Sequence, residues 1–235
     1  MRDVLDVHTH TLSSGHAYST LHENATVAKA KNLQLLGVSD HAPTTPGSCH
    51  KFNFMNLRFM PHDAYGIKLL FGIELNITDY SGSTDLAGNI LKNLDYAIAS
   101  LHNSNLPPGT LEENTAAIIG AIKNPYVVII GHPDNPRYQV DFDAIAKAAK
   151  DNNVLLEVNN SSYIEGYRKG SRDTAAKMLK ACQKYGTEVI MGSDAHIDVD
   201  VGNHEHSIEV LKQNNFPEEL VVNSDVEKFY KHLKN

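Results

Sequence analysis

Val4-Leu5-Asp6-Val7-His8-Thr9-His10 decides the reading of this chain: a short apolar run of β-strand character passes straight into two histidines. Residues two apart on a strand share a face, so His8 and His10 can reach one ion together. Working outward, the same arrangement recurs. Leu35-Leu36-Gly37-Val38 runs into Asp40-His41, and Lys68-Leu69-Leu70-Phe71-Gly72-Ile73 runs into Glu74. The stretch 94–101 runs into His102, and Val127-Val128-Ile129-Ile130 is followed shortly by His132. Glu188-Val189-Ile190-Met191 leads to Asp194-Ala195-His196, and His16 lies a few residues beyond the first run. Val154-Leu155-Leu156-Glu157-Val158 is the exception, ending in Asn159 and Asn160. Leu220-Val221-Val222 is a weaker candidate for an eighth strand.

Helical patterns fill the intervals, at 22–33, 111–122, 142–150 and 174–185, with two more at 206–213 and 226–233. Strand alternating with helix throughout predicts an α/β fold of parallel βαβ units with helices outside, forming one domain over residues 1–235. In a parallel barrel the carboxyl ends of the strands meet at one mouth. The ligand-type residues are therefore expected to converge. Residues 42–67 form the longest stretch without a clear period, and a loop of that length inside a compact domain predicts a functional segment.

A single histidine at a strand end is more often solvated or hydrogen-bonded than a ligand. Recurrence carries the argument here. His8, His10, His16, His41, His102, His132 and His196, with Glu74 and Asp194, all fall at or just past an apolar run. A histidine with a purely structural role has no reason to prefer that end. The other six, His22, His50, His62, His204, His206 and His232, fall in helices or loops and are read as surface residues. Imidazoles and carboxylates without thiolates suit Zn2+, Mn2+, Fe2+ or Ni2+. Nine candidates exceed what one ion uses and fit two or three, with Glu74 able to bridge. Asp40, beside His41, is read as an acceptor that orients a ligand ring.

Composition narrows the field further. With 235 residues, 41% of them hydrophobic, the chain can bury its own core. A net charge of −7, from 21 basic and 28 acidic residues, disfavours a general nucleic-acid binder. No apolar run approaches a membrane span. No apolar stretch follows Met1-Arg2-Asp3, so no leader is expected, and with only Cys49 and Cys182 a reducing, cytoplasmic setting is expected. The dinucleotide fingerprint, the phosphate loop ending in Gly-Lys-Ser/Thr and the Gly-x-Ser-x-Gly elbow are all missing. Asp141-Phe142-Asp143 opens a helix and is read as N-terminal capping. Association of identical copies is left open.

Asp6-Val7-His8-Thr9-His10, Ser39-Asp40-His41, Gly72-Ile73-Glu74, Gly131-His132-Pro133 and Gly192-Ser193-Asp194-Ala195-His196 together resemble the PHP (polymerase and histidinol phosphatase) superfamily over nearly the whole chain. His16 to Leu21, Asn56-Leu57-Arg58, the stretch His132 to Pro136 and Glu157 to Ser162 look like the YcdX-type phosphatases within it. The resemblance implies a distorted (β/α)7 barrel with three divalent metal ions, zinc in the best-matched relatives. It implies one ion held by His8, His10, Glu74 and Asp194, a second by Glu74, His102 and His132, and a third by His16, His41 and His196.

The implied reaction is hydrolysis of a phosphate monoester of a small metabolite or nucleotide by a hydroxide held between two ions. Glu74, Asp194 and His196 would stand around the reacting centre, Asp194 relaying the proton. Arg58, Arg168 and Lys169 are the preferred phosphate contacts, ahead of Arg137 and Arg172, and Asn159 can also touch substrate. Three other readings remain at this level: a phosphodiesterase or exonuclease on the same metals, a histidinol-phosphate phosphatase, and a metal-binding accessory module without catalysis. The tracts 51–61 and 198–206 depart from the pattern, which leaves the substrate open.

Overall fold

Eight short parallel strands build the framework in a computed structural model that describes residues 1–233. Lys234 and Asn235, the last two positions of the expected domain, lie outside the described residues. β1 (Leu5–Asp6), β2 (Leu35–Val38) and β3 (Lys68–Phe71) form one sheet in that order. β4 (Glu74–Asn76), β5 (Ala97–Ser100), β6 (Val127–Gly131), β7 (Leu155–Asn159) and β8 (Val189–Gly192) form the second. Two single bridges join them, His41 to Glu74 and Thr9 to Ala195.

β3 and β4 are one extended stretch that changes partner at Gly72-Ile73. The Gly72 N–H donates to Val38 O at 2.8 Å and the Glu74 N–H to Asp40 O at 3.0 Å, while Ile73 O accepts from the Ile98 N–H at 2.9 Å. The first half therefore pairs with β2 and the second with β5. Counting that stretch once gives seven staves, the distorted barrel expected from the resemblance. The expectation that Glu74 closes the third strand is corrected: it opens β4, because the chain runs on and exchanges neighbours. Two further expectations change. The run 94–101 shortens to Ala97–Ser100, since Leu94 still belongs to a turn and donates to Leu91 O. Leu220-Val221-Val222 is no strand, because two 3-10 turns leave a single bridge between Val189 and Val221.

Helices follow the strands with clear local signals. α1 (Leu21–Ala30) and α4 (Leu111–Ile122) both begin with a capping box, Thr20 with Glu23 and Thr110 with Glu113. Short α2 (Phe52–Leu57) and α3 (Gly88–Leu91) lie in connections. α5 (Phe142–Asp151) starts from Asp141, whose carboxylate accepts from the Ala144 N–H, as the capping reading required. α6 (Ser171–Tyr185), α7 (Glu205–Gln213) and α8 (Val226–Tyr230) complete the set. Ile118, Ile122, Ile130, Leu156, Val158 and Leu179 bury the interface between helices and strands. A second cluster, with Leu5, Leu35, Ile98, Ile129, Leu155 and Ile190, fills the barrel and is closed by Phe229 of α8. Alternation on β7 thus sends Leu155 inward and its neighbours Leu156 and Val158 outward. Glu157 faces in. Among the described residues no helix is long and apolar enough to cross a membrane.

Candidate metal centre

Backbone bonds stitch the strand ends into one platform. The His10 N–H donates to Ala195 O at 2.9 Å, the Asp194 N–H to His8 O at 2.8 Å and the Ser39 N–H to Thr9 O at 2.9 Å. Two non-glycine residues there adopt left-handed backbone, His132 with φ 31° and Asp194 with φ 56°. Such conformations cost energy and persist where the surroundings enforce them. Here they turn two ligand-type side chains at the ends of β6 and β8 into the mouth.

Glu74 is the hub of the platform and is buried. Its carboxylate oxygens lie 2.6 Å from His41 Nδ1, 3.2 Å from His132 Nε2, 3.3 Å from His102 Nε2, 3.6 Å from His8 Nε2 and 3.7 Å from His10 Nε2. Asp194 Oδ1 lies 3.2 Å from His10 Nε2, 3.6 Å from His8 Nε2 and 3.7 Å from His196 Nδ1. His16 Nε2 faces His196 Nε2 at 3.1 Å. Ligand atoms gather within 4.8 Å of one another in three overlapping groups: His8, His10 and Asp194; His41, Glu74 and His102; His10, His41 and His196. All nine predicted ligand-type residues are therefore brought together.

The environment opposes itself in an informative way. Burial penalises charge on Glu74, yet His102, His41 and His8 around it hold its carboxyl well below the usual carboxylate range. Asp194 is also buried and held well down by His8, His10 and Arg168. Burial acts against the cationic form of His8, but Glu157, Asp194 and Glu74 raise it well above an ordinary histidine. Burial and the neighbouring His41 charge push His10 well down, and burial with Arg168 takes His132 to about 4. Against the opposing effect of burial, Glu74 and Asp194 likewise raise His41.

The residues fit metal ions. His8 Nε2, His10 Nε2, His41 Nδ1 and Glu74 Oε2 are buried atoms with no hydrogen-bond partner, although His41 and Glu74 touch, because their contact is misaligned for a bond. Leaving such atoms unpaired in a native interior is costly. Imidazole nitrogens and carboxylate oxygens aimed at common points are the donor set divalent cations take.

Behind the ligand-type residues stands a layer of orienting groups. His8 Nδ1 bonds Glu157 Oε1 at 2.6 Å, and Glu157 Oε2 accepts from the His132 N–H at 2.7 Å. His102 Nδ1 meets Asn76 Oδ1 at 2.7 Å. Asp40 accepts from the Thr11 N–H, the Thr11 hydroxyl and the Ser14 hydroxyl, and Ser14 Oγ in turn meets His10 Nδ1 at 3.0 Å. Asp40 thus orients the ring of His10 through Ser14, and not its chain neighbour His41.

Glu157 was missed by reading its strand as one without a ligand type. The signal was there: a carboxylate within the apolar run 154–158 must find a partner when buried. Asp134, also unread, is buried beside Tyr163, whose hydroxyl donates to it at 2.8 Å, and burial raises its carboxyl to about 7. Two of the six surface assignments need correction. His204 is buried between Asp3, at 2.7 Å, and Asp6, at 3.5 Å, and their charges lift it to about 10 against the opposing effect of burial. His232 is buried against Asn153 O and Glu188. Sequence position could not reveal that the start of α7 returns to β1 and that the chain end packs beside Asn153 and Glu188.

Of the expected substrate contacts, Arg168 reaches the centre, donating to Asn159 Oδ1 at 3.3 Å, to Ser162 Oγ at 3.0 Å and to Asp194 Oδ2 at 3.4 Å. Asn159 is buried and donates to Glu157 and Asp194, so it braces the platform. Arg58, at the end of α2, is exposed, lies over its neighbour Phe59 and lines none of the cavities that contain ligand-type residues. A cavity of ≈ 480 Å³ opens over the platform, lined by His16, His41, His102, Asp194 and His196 together with Arg168. A neighbouring cavity of ≈ 620 Å³ shares His102, His132, Tyr167 and Arg168 with it and adds Arg137 and Lys169.

Comparison with known proteins agrees with the geometry. Residues 6–161 match the PHP domain. A protein of Clostridium novyi named "Probable phosphatase" is 45% identical over 235 residues, covering 100% of this chain and 96% of the other. A Thermoanaerobacter protein of the same description is 47% identical with the same coverage. Among solved structures, histidinol phosphate phosphatase from Lactococcus lactis, complexed with zinc, L-histidinol and phosphate, superposes with a TM-score of 0.63 at 16% identity. It covers 92% of this chain and 95% of that one, a likeness of fold.

Proposed function

The chain belongs to the PHP family, and on that premise we propose that it is a metal-dependent phosphatase hydrolysing monoesters of a small phosphorylated metabolite or nucleotide at a three-ion centre. One observation carries the proposal: a single buried carboxylate, Glu74, ringed by five imidazoles with Asp194 beside them. The names of the relatives support the reaction class, and the zinc of the Lactococcus structure supports the metal. His8, His10, Glu74 and Asp194 would hold one ion, Glu74, His102 and His132 a second, and His16, His41 and His196 a third.

Such ions, when bound, supply an activated water, neutralise phosphoryl oxygens and stabilise the departing oxygen. The chain's own residues do the rest. Arg168 is braced by Asn159 and Ser162 at the edge of the central cavity, so its guanidinium can grip a phosphoryl oxygen in a fixed direction. Asp194, held ionised, keeps a negative charge beside that cavity. His196 is 29% exposed by side chain and stands at the solvent edge, where a proton can leave. Glu157 and Asp40 keep His8 and His10 from swinging out of register.

Glu74→Ala and His8→Ala are expected to stay folded by circular dichroism while hydrolysis of p-nitrophenyl phosphate falls by on the order of a thousandfold or more. Wild-type turnover by either folded variant would overturn the proposal.

A further inference from the structure

The ≈ 620 Å³ cavity beside the centre is lined by Arg137, Arg168 and Lys169, and no carboxylate lines it. In a chain of net charge −7 that is a local reversal of sign. Arg168 serves both cavities and already leans on Asp194 at 3.4 Å. Arg137 and Lys169 are different. Both are exposed, neither lines the central cavity, and among the described residues neither lies in an ion pair with a carboxylate. The Arg137 backbone N–H donates to Asn135 Oδ1 at 3.1 Å, which sets the turn that carries the guanidinium. Clefts lined by one sign of charge concentrate ligands of the other.

We propose that this side cavity is a second anion subsite, selecting phosphate monoesters whose leaving group carries another phosphoryl group. The inference rests on the phosphatase reading and deepens it. The reacting phosphoryl needs little from Arg137 and Lys169, because the centre and Arg168 face it. Arg137 and Lys169, free of carboxylates on the wall of one cavity, can take a second anion, and a dianion suits a guanidinium fork beside an ammonium better than a single negative charge does. The same lining disfavours a leaving group bearing an ammonium, such as L-histidinol, since like charges would meet without a carboxylate between them.

Affinity without turnover separates the two proposals. Butylphosphonate and butane-1,4-diylbisphosphonate carry carbon–phosphorus bonds and are not hydrolysed, so both can be titrated calorimetrically into the metal-loaded protein. The bisphosphonate is expected to bind about tenfold tighter or better, and R137A/K169A is expected to erase that ratio. In parallel, the ratio of kcat/KM for fructose 1,6-bisphosphate over fructose 6-phosphate should fall in the double variant, chiefly through KM. Equal affinities in the wild type, or a preference that survives the double substitution, would overturn the subsite. Absence of all hydrolysis with the binding preference intact would overturn the phosphatase reading and leave the subsite standing.

Discussion

At the scale of the single residue, Glu157 shows how much of this site depends on groups that touch no substrate. One oxygen holds the His8 ring and the other holds the His132 backbone, so one carboxylate orients two strands' worth of ligands. There is no slack around it: a Cβ at Gly192 would land on Glu157 Oε1. Glu157→Gln keeps the volume but removes the charge that holds the His8 proton on Nδ1 and leaves Nε2 free for a cation. Metal affinity is expected to fall about 10–100-fold, measured by competition with a chelator, with the fold retained. Unchanged affinity would show that His8 is held by its surroundings alone. The nine ligand-type residues were legible in the sequence because each follows an apolar run. Glu157 signalled only that it needed a partner; its partners, like that of Asp134, become visible only when distant strands are neighbours.

At the scale of elements, local chemistry was the readable part. Capping at Thr20, Thr110 and Asp141 and the apolar period of α4 locate helices without tertiary help. The exchange of partners between β3 and β4 was hidden, since Gly72-Ile73 reads as uninterrupted strand and only the pairing with β2 and then β5 divides it. Hidden too was the link from α7 to β1. His204, at the start of α7, is a buried cation between Asp3 and Asp6, and Asp6 also accepts from the Gly202 N–H and the Ser193 hydroxyl. Its folded-state value of about 10 lies above the ordinary 6.5, so its stabilisation is complete below about pH 6.5 and lost as pH rises through 10. His204→Gln is expected to cost about 3–5 kcal/mol in denaturant unfolding of metal-free protein near neutral pH. The gap from wild type should narrow towards pH 10. A gap independent of pH would mean that His204 acts by packing alone.

At the scale of the whole molecule, the barrel brings seven histidines and two carboxylates from strands far apart in sequence to one mouth, with an apolar plug closed by Phe229 on the other side. That division explains why fold and candidate site were readable together: strand ends and ligand-type residues are the same positions. The side cavity was not readable, since Arg137 and Lys169 look like ordinary loop cations until their shared cavity is seen. The central claim is that this mouth is built for clustered cations. Elemental analysis of wild-type protein, purified without chelator, tests it most directly. About three divalent ions per chain, zinc foremost, are expected, with Glu74→Ala reduced to less than about one. A folded wild-type protein that carries only traces of metal, and takes none up when zinc is supplied at neutral pH, would contradict the account.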